Sequence, residues 1–160
     1  LALFCCFIAA IINLVRWLGW KPWQTLKHPM VWVLQLGYLW VPVTLLAMGF
    51  EVLGLVPRSL PVHALAVGAM GLIIAGMITR TAMGHTGRQI VASRFEIAFF
   101  LLVAISGLLR VIVAMPQHLT PVQTSWLLFV SGLAWSLGFL AYVYGYAPWL
   151  VRPRIDGGPG

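Results

Sequence analysis

Acidic side chains are almost missing from this chain, which has three Asp and Glu in 160 residues and only 8% charged residues in all. A soluble domain carries about 25% charged residues, so an ordinary water-facing shell cannot be built here. The few carboxylates form no close pair, and no nucleophile stands at a usable spacing from a base, so nothing in the sequence points to catalysis. Cysteine is nearly absent too. Cys5 and Cys6 are adjacent, and neighbouring cysteines do not meet disulfide geometry. They read as buried small apolar residues, with a soft-metal site as the alternative. No two histidines are three or four residues apart, so there is no compact metal motif.

What is abundant is apolar. Hydrophobic residues make up 61% of the chain and mean hydropathy is +0.97, which places it in the membrane class. The expected fold is all-α, a polytopic transmembrane helical bundle. Five membrane segments stand out, at about 1–15, 29–56, 61–83, 95–115 and 121–151, followed by a tail at 152–160. The first is shorter than the ~20 residues needed to span a bilayer. It also lacks the basic start and cleavage site of a signal peptide. It is read as a helix that begins upstream, and the chain as the C-terminal part of a longer protein. Pro29, Pro61 and Pro121 suit helix starts. Pro42 and Pro148 should kink or end their segments, and the Gly- and Pro-rich stretch after Arg154 should be loosely held.

The net charge of +7 does not indicate nucleic acid, because the basic residues are dispersed among the linkers. Arg16, Lys21 and Lys27 lie in the first linker, Arg80, Arg88 and Arg94 around the third, and Arg152 and Arg154 in the tail. The second holds only Arg58, the fourth only His118. Rich and poor linkers alternate, and the positive-inside rule puts the rich ones, with the C-terminus, in the cytoplasm. Trp17, Trp20 and Trp23 read as an interfacial aromatic belt or a cofactor-stacking surface. Tyr142, Tyr144, Tyr146 and Trp149 read as a second belt.

Segment three carries a strip of small residues, Ala64, Gly68, Gly71 and Ala75, that admits a close neighbouring helix. His63 and His85 are 22 residues apart in it. On an unbroken α-helix they lie within ~40° of one face but ~33 Å apart along the axis, so they cannot share one metal ion. His63 and His118 sort to the outer side, His28 and His85 to the inner. Arg110, inside segment four, either snorkels, pairs with Glu51, or meets a haem propionate. Glu96 is expected to face Arg94, Arg88 or Arg80. Gln35, Tyr38 and Pro42 share one face of segment two, bordering a polar cavity or bonding to a neighbouring helix.

The stretch "TRTAMGHTGRQI", residues 79–90, is unusually polar. Gly84 and Gly87 allow the helix to stop and turn. Arg80 and Arg88, with the hydroxyls of Thr79, Thr81 and Thr86, would suit an anion such as a lipid headgroup, a phosphate or a haem propionate. The spacing is neither a Walker loop nor a Rossmann turn.

"HALAVGAMGLIIAGMITRTAMGHTGR", residues 63–88, resembles the signature region of the NnrS family, and the tail "RPRIDGGPG" resembles the end of its chains. The resemblance covers essentially the whole chain. It implies a bacterial inner-membrane protein that contains haem and copper and acts in the response to nitric oxide and in nitrosative-stress tolerance, often beside denitrification. His63, Arg80, Gly84, His85, Thr86, Gly87 and Arg88 match its characteristic positions. On this reading His63 and His85 are the metal and cofactor ligand candidates. Arg80, Arg88 and Arg110 are the anion partners. The bilayer, nitric oxide or a nitrosylated species, and an N-terminal half of the same protein are the partners. Two alternatives stand beside it. One is a transporter or metal- or haem-delivery permease, with a midplane cavity at Gln35, Tyr38, Thr44 and Ser106. The other is a cofactor-free assembly subunit that uses small-residue strips such as Gly132, Ser136 and Gly138.

Overall fold

A computed structural model describes residues 1–115 and 119–157, and among these the secondary structure is helical. Five helices are long and apolar enough to cross a membrane: α1 (Ala2–Gly19), α2 (Pro29–Val52), α3 (Ser59–His85), α4 (Arg94–Ala114) and α5 (Pro121–Leu150). A short 3₁₀ turn, Pro22–Thr25, bridges α1 and α2.

The boundaries follow local chemistry. Pro29 and Pro121 open α2 and α5, where the missing N–H costs nothing. Ser93 with Glu96, and Thr120 with Gln123, form reciprocal capping boxes at the starts of α4 and α5. α2 ends at Val52, short of the expected 56, and Gly54 at φ +71° turns the chain. Pro42 and Pro148 do not end their helices, which run through both. α1 reaches Gly19, beyond the expected 15, and in this added stretch the Trp17 indole donates to the Gln35 carbonyl of α2 at 2.9 Å.

The helices lie in chain order, each antiparallel to the next. Phe7 of α1 meets Gly49 of α2, and Trp17 meets Gln35. Leu34 of α2 meets Gly76 of α3, and Trp40 meets Gly68. Gly68 of α3 meets Gly107 of α4, and Phe95 of α4 meets Gly145 of α5. The ends that carry the Arg- and Lys-rich linkers therefore share one side of the bundle, here the basic end. α3 is the central helix, and Trp135 of α5 reaches past α4 to touch it at Gly71. The small-residue strip of α3 is buried throughout, as van der Waals packing between membrane helices requires.

Inside α3 the bonding changes. Ala64–Met70 adopts π geometry, bracketed by α-helical turns. An i→i+5 ladder puts more residues in each turn than an α-helix does, so His63 and His85 lose the shared face that unbroken α geometry implies. The apolar core, with Val33, Leu72, Phe99, Phe100, Val103 and Tyr146 at its centre, lies in the half of the bundle nearer the basic end.

Candidate functional site

At the basic end, α3 stops at His85 and Gly87 takes φ +73°. Gly84 stays helical, so a single glycine makes the turn. The hydroxyls of Thr79 and Thr86 are not offered to a ligand. Each is buried and donates to its own helix, Thr79 to the Ala75 carbonyl and Thr86 to the Ala82 carbonyl, both at 2.7 Å. His85 and Thr81 instead border a groove of ≈ 400 Å³ with Met77, Ile78, Ala82, Tyr142 and Leu150. One imidazole thus faces an apolar hollow between α3 and α5.

Arg88 does not line that groove. Its guanidinium stacks 4.3 Å over the Trp149 ring, and Nη1 donates to the Thr86 carbonyl at 3.5 Å. Arg80 is partly buried and does not line it either, because five α-helical residues turn it ~140° away from His85. The arrangement of His85 framed by Arg80 and Arg88 is therefore not formed. What covers the turn is the chain's own tail. The Ile155 amide donates to the Thr86 carbonyl at 3.4 Å. Arg154 grips Asp156 through Nε at 2.9 Å and Nη2 at 2.6 Å. The Asp156 carboxylate lies over Gly87, its oxygens 2.8 Å from where a β-carbon would stand. The stretch through Gly157 is docked rather than loose.

Beside this turn lies a polar cluster that sequence reading misassigned. Glu96 is 3% exposed and forms no ion pair with an arginine among the described residues. Its Oε2 accepts from the Ser93 amide at 2.7 Å and from the Ser93 hydroxyl, and its Oε1 accepts from the Tyr146 phenol at 2.8 Å. The Ser-x-x-Glu spacing announces the cap, but nothing local announces Tyr146. The expected C-terminal belt also divides. Tyr146 is 1% exposed and Tyr142 donates to the Ile78 carbonyl at 3.2 Å, so only Tyr144, at 85% exposed, faces outward as a belt residue would. In the first linker, Trp17 and Trp20 clasp α2 through Gln35 and Tyr38, whose ring lies 4.7 Å from that of Trp20, while Trp23 stays exposed.

At the opposite end, His63 is partly buried and closes the last α-turn before the π segment. Arg110, on the last turns of α4, lies at the same end of the bundle and is partly buried. Arg110 forms no ion pair with Glu51 among the described residues. His118 lies outside the described residues. Of the five candidates, then, His63 and Arg110 share one end of the bundle without a hydrogen bond between them among the described residues, and His85, Arg80 and Arg88 lie at the other end without lining one groove.

No group of three His, Cys, Asp or Glu that could hold a metal ion occurs among the described residues. Cys5 is exposed rather than buried, and Cys6 is partly buried, both on α1, whose outer side meets no other helix. Of the residues expected around a transporter's midplane cavity, Gln35 and Tyr38 line one pocket of ≈ 320 Å³ with Trp20, Leu34 and Met77, and Gln35 Oε1 is buried without a hydrogen-bond partner among the described residues, while Thr44 and Ser106 do not line it. Thr44 is buried and donates to the Trp40 carbonyl at 2.8 Å, and Ser106 pairs with Ser131. Tyr38 donates to Asn13 Oδ1 at 2.6 Å, within the α1–α2 pair. A family model described as NnrS protein matches residues 1–154. No curated protein and no solved structure matches the chain.

Proposed function

The chain belongs to the NnrS family, and from that premise we propose that it is part of a haem-binding membrane protein of the nitric oxide response, with haem held at the His63–Arg110 end. The observation that carries this reading is Arg110. It is a partly buried guanidinium in a membrane helix, without an ion-pair partner among the described residues, at the same end of the bundle as the His63 imidazole. A charge in that setting calls for a counter-anion, and a carboxylate of a haem edge supplies one. His63 would offer a ring nitrogen to the iron, and Arg110 would hold a propionate. Haem iron with an imidazole ligand supplies an open position for nitric oxide. The π segment that begins at Ala64 supports the reading, since π turns cluster at functional sites. His85, at its groove, is a second imidazole of the same kind.

Copper fits less well. The described residues offer single donors and no set that converges, so no role here is derived for it. The Arg- and Lys-rich end, with the C-terminus, is assigned to the cytoplasm of a bacterial inner membrane by the positive-inside rule. The proposed haem end then faces outward.

The test is the optical spectrum of the purified full-length protein. His63→Ala should remove or shift the Soret band. Arg110→Ala should leave the ligation but weaken haem retention about tenfold or more, from loss of a charge-assisted contact worth ~1.5–3 kcal/mol. No Soret band, or a band and retention indifferent to both changes, would sink the reading. Loss of the band in His85→Ala alone would move the site to the basic end.

A further inference from the structure

Glu96 is a buried titratable group that the proposed cofactor site leaves unused. Its partners, the Ser93 amide and hydroxyl and the Tyr146 phenol, are all neutral. Capping does not require a carboxylate in this place. The box on α5 does the same work with Gln123, whose Oε1 accepts from the Thr120 amide at 3.0 Å, and Gln123 is exposed. The charged version thus sits where charge is most costly, since an ion taken out of water loses several kcal/mol of solvation. An amide would avoid that loss, but its N–H₂ group cannot accept, so only a carboxylate takes donors on both sides, Ser93 at Oε2 and Tyr146 at Oε1. A carboxylate also adds basicity: it can take the proton that Tyr146 points at it.

The neighbours of Tyr146 give that basicity a use. Its ring stacks on Tyr142 at 4.5 Å and 17°, and lies 4.7 Å from Trp149. Tyr142 in turn borders the groove that holds His85. Three oxidisable rings are in contact, and their surroundings differ. The Tyr142 phenol donates to a peptide carbonyl, which does not accept a proton outright, so Tyr142 can relay an electron but not settle as a neutral radical. Trp149 lies under the Arg88 guanidinium, and a cation over a ring opposes removal of an electron from it. Only Tyr146 faces a base.

We propose that Tyr146 and Glu96 form a proton-coupled one-electron donor site, reached through Tyr142 by an oxidant in the His85 groove. The oxidant class is a small lipid-soluble radical of the nitrogen dioxide type. Nitrogen dioxide gains one electron and leaves as nitrite. The Tyr146 O–H bond breaks, its electron passes through Tyr142 to the oxidant, and its proton passes to Glu96 Oε1. The products are nitrite, a neutral tyrosyl radical and a neutral carboxylic acid. One negative charge stands on each side of the equation, and the buried charge is removed. The step uses no haem or copper, so it stands or falls apart from the cofactor reading.

The test is pulse radiolysis of nitrite solutions, which generates nitrogen dioxide, in the presence of the purified full-length protein. The reaction is followed by tyrosyl absorption and freeze-quench EPR. Exposed Tyr144 is replaced by Phe in every sample to remove a competitor. The reference protein should give a neutral tyrosyl radical that forms more slowly in D₂O. Tyr146→Phe should lose the signal. Glu96→Gln, which removes the base and one of its two acceptor oxygens, should slow its formation about tenfold, equivalent to about 1.4 kcal/mol of barrier. No radical in the reference protein, an undiminished signal in Tyr146→Phe, or a rate unchanged in both Glu96→Gln and D₂O overturns the proposal. If Glu96→Gln does not fold, the D₂O comparison on the reference protein decides. Protein with and without cofactor should give the same radical.

Discussion

A methyl group at position 87 meets two obstacles of different origin. The backbone there holds φ +73°, a region that costs an L-residue about 1–2 kcal/mol. The Asp156 carboxylate also occupies the space. Gly87→Ala should therefore loosen the tail, while Gly84→Ala, three residues earlier in open space and helical geometry, should not. Trypsin reads this directly, because the Arg154–Ile155 bond is held where the Ile155 amide bonds to Thr86. A loss of 1–2 kcal/mol in docking should raise cleavage there by roughly 5- to 30-fold in Gly87→Ala. Equal cleavage in both variants would mean that the tail is not held at Gly87. The sequence shows two glycines in "GHTGR" and no way to choose between them. The choice is made by what arrives over each, and Asp156 arrives from about seventy residues away in the chain.

The two capping boxes look alike in sequence and differ in setting. Ser93→Ala removes a cap worth ~1 kcal/mol, and it also takes a hydroxyl from the buried Glu96 carboxylate, which adds the cost of an under-satisfied buried charge. Thr120→Ala removes only the exposed cap. Unfolding in mixed micelles should rank Ser93→Ala as clearly the more destabilised, and equal losses would deny Glu96 its buried role. Such helix starts are legible from sequence because a cap is a local contract among four residues. The five spans are legible too, because the hydrocarbon sets their length and composition. The π segment is not. Ala64–Met70 contains no proline and a single glycine, Gly68, and its geometry goes with rings delivered by other helices: Trp40 of α2 onto Gly68 and Trp135 of α5 onto Gly71. Gly68→Ala would put a β-carbon 2.5 Å from the Trp40 ring and should cost ~1–3 kcal/mol by overpacking. Trp40→Leu should recover part of it. A double-mutant cycle without coupling would show that the two residues do not meet. His63 and Arg110 pose the same difficulty. Each is visible as a polar intrusion, but their shared end of the bundle depends on the antiparallel pairing of α3 with α4.

Over the whole molecule, charge and packing are polarised in the same direction. The Arg- and Lys-rich linkers, the docked tail, the Arg88–Trp149 stack and the core cluster all lie toward one end. The other end carries Arg58, His63, Arg110 and exposed apolar side chains at Leu53 and Leu55. Antiparallel packing of consecutive helices fixes which loops share an end, and the positive-inside rule predicts that this end is cytoplasmic. The assignment makes a prediction about whole loops. In a chain with Cys5 and Cys6 replaced by Ala, Gln24→Cys and Ile90→Cys should resist a membrane-impermeant thiol reagent added outside intact cells, and should react after the cells are opened. Ser59→Cys should react in both conditions. All three positions are exposed, so burial cannot imitate protection by the membrane. Gln24 and Ile90 lie in different linkers, so their agreement also tests the antiparallel order. If one reacts from outside and the other does not, α2 and α3 do not form two opposed passes. If all three invert together, the helices are arranged as described but the His63–Arg110 end faces the cytoplasm, and a ligand would reach Arg110 from that side.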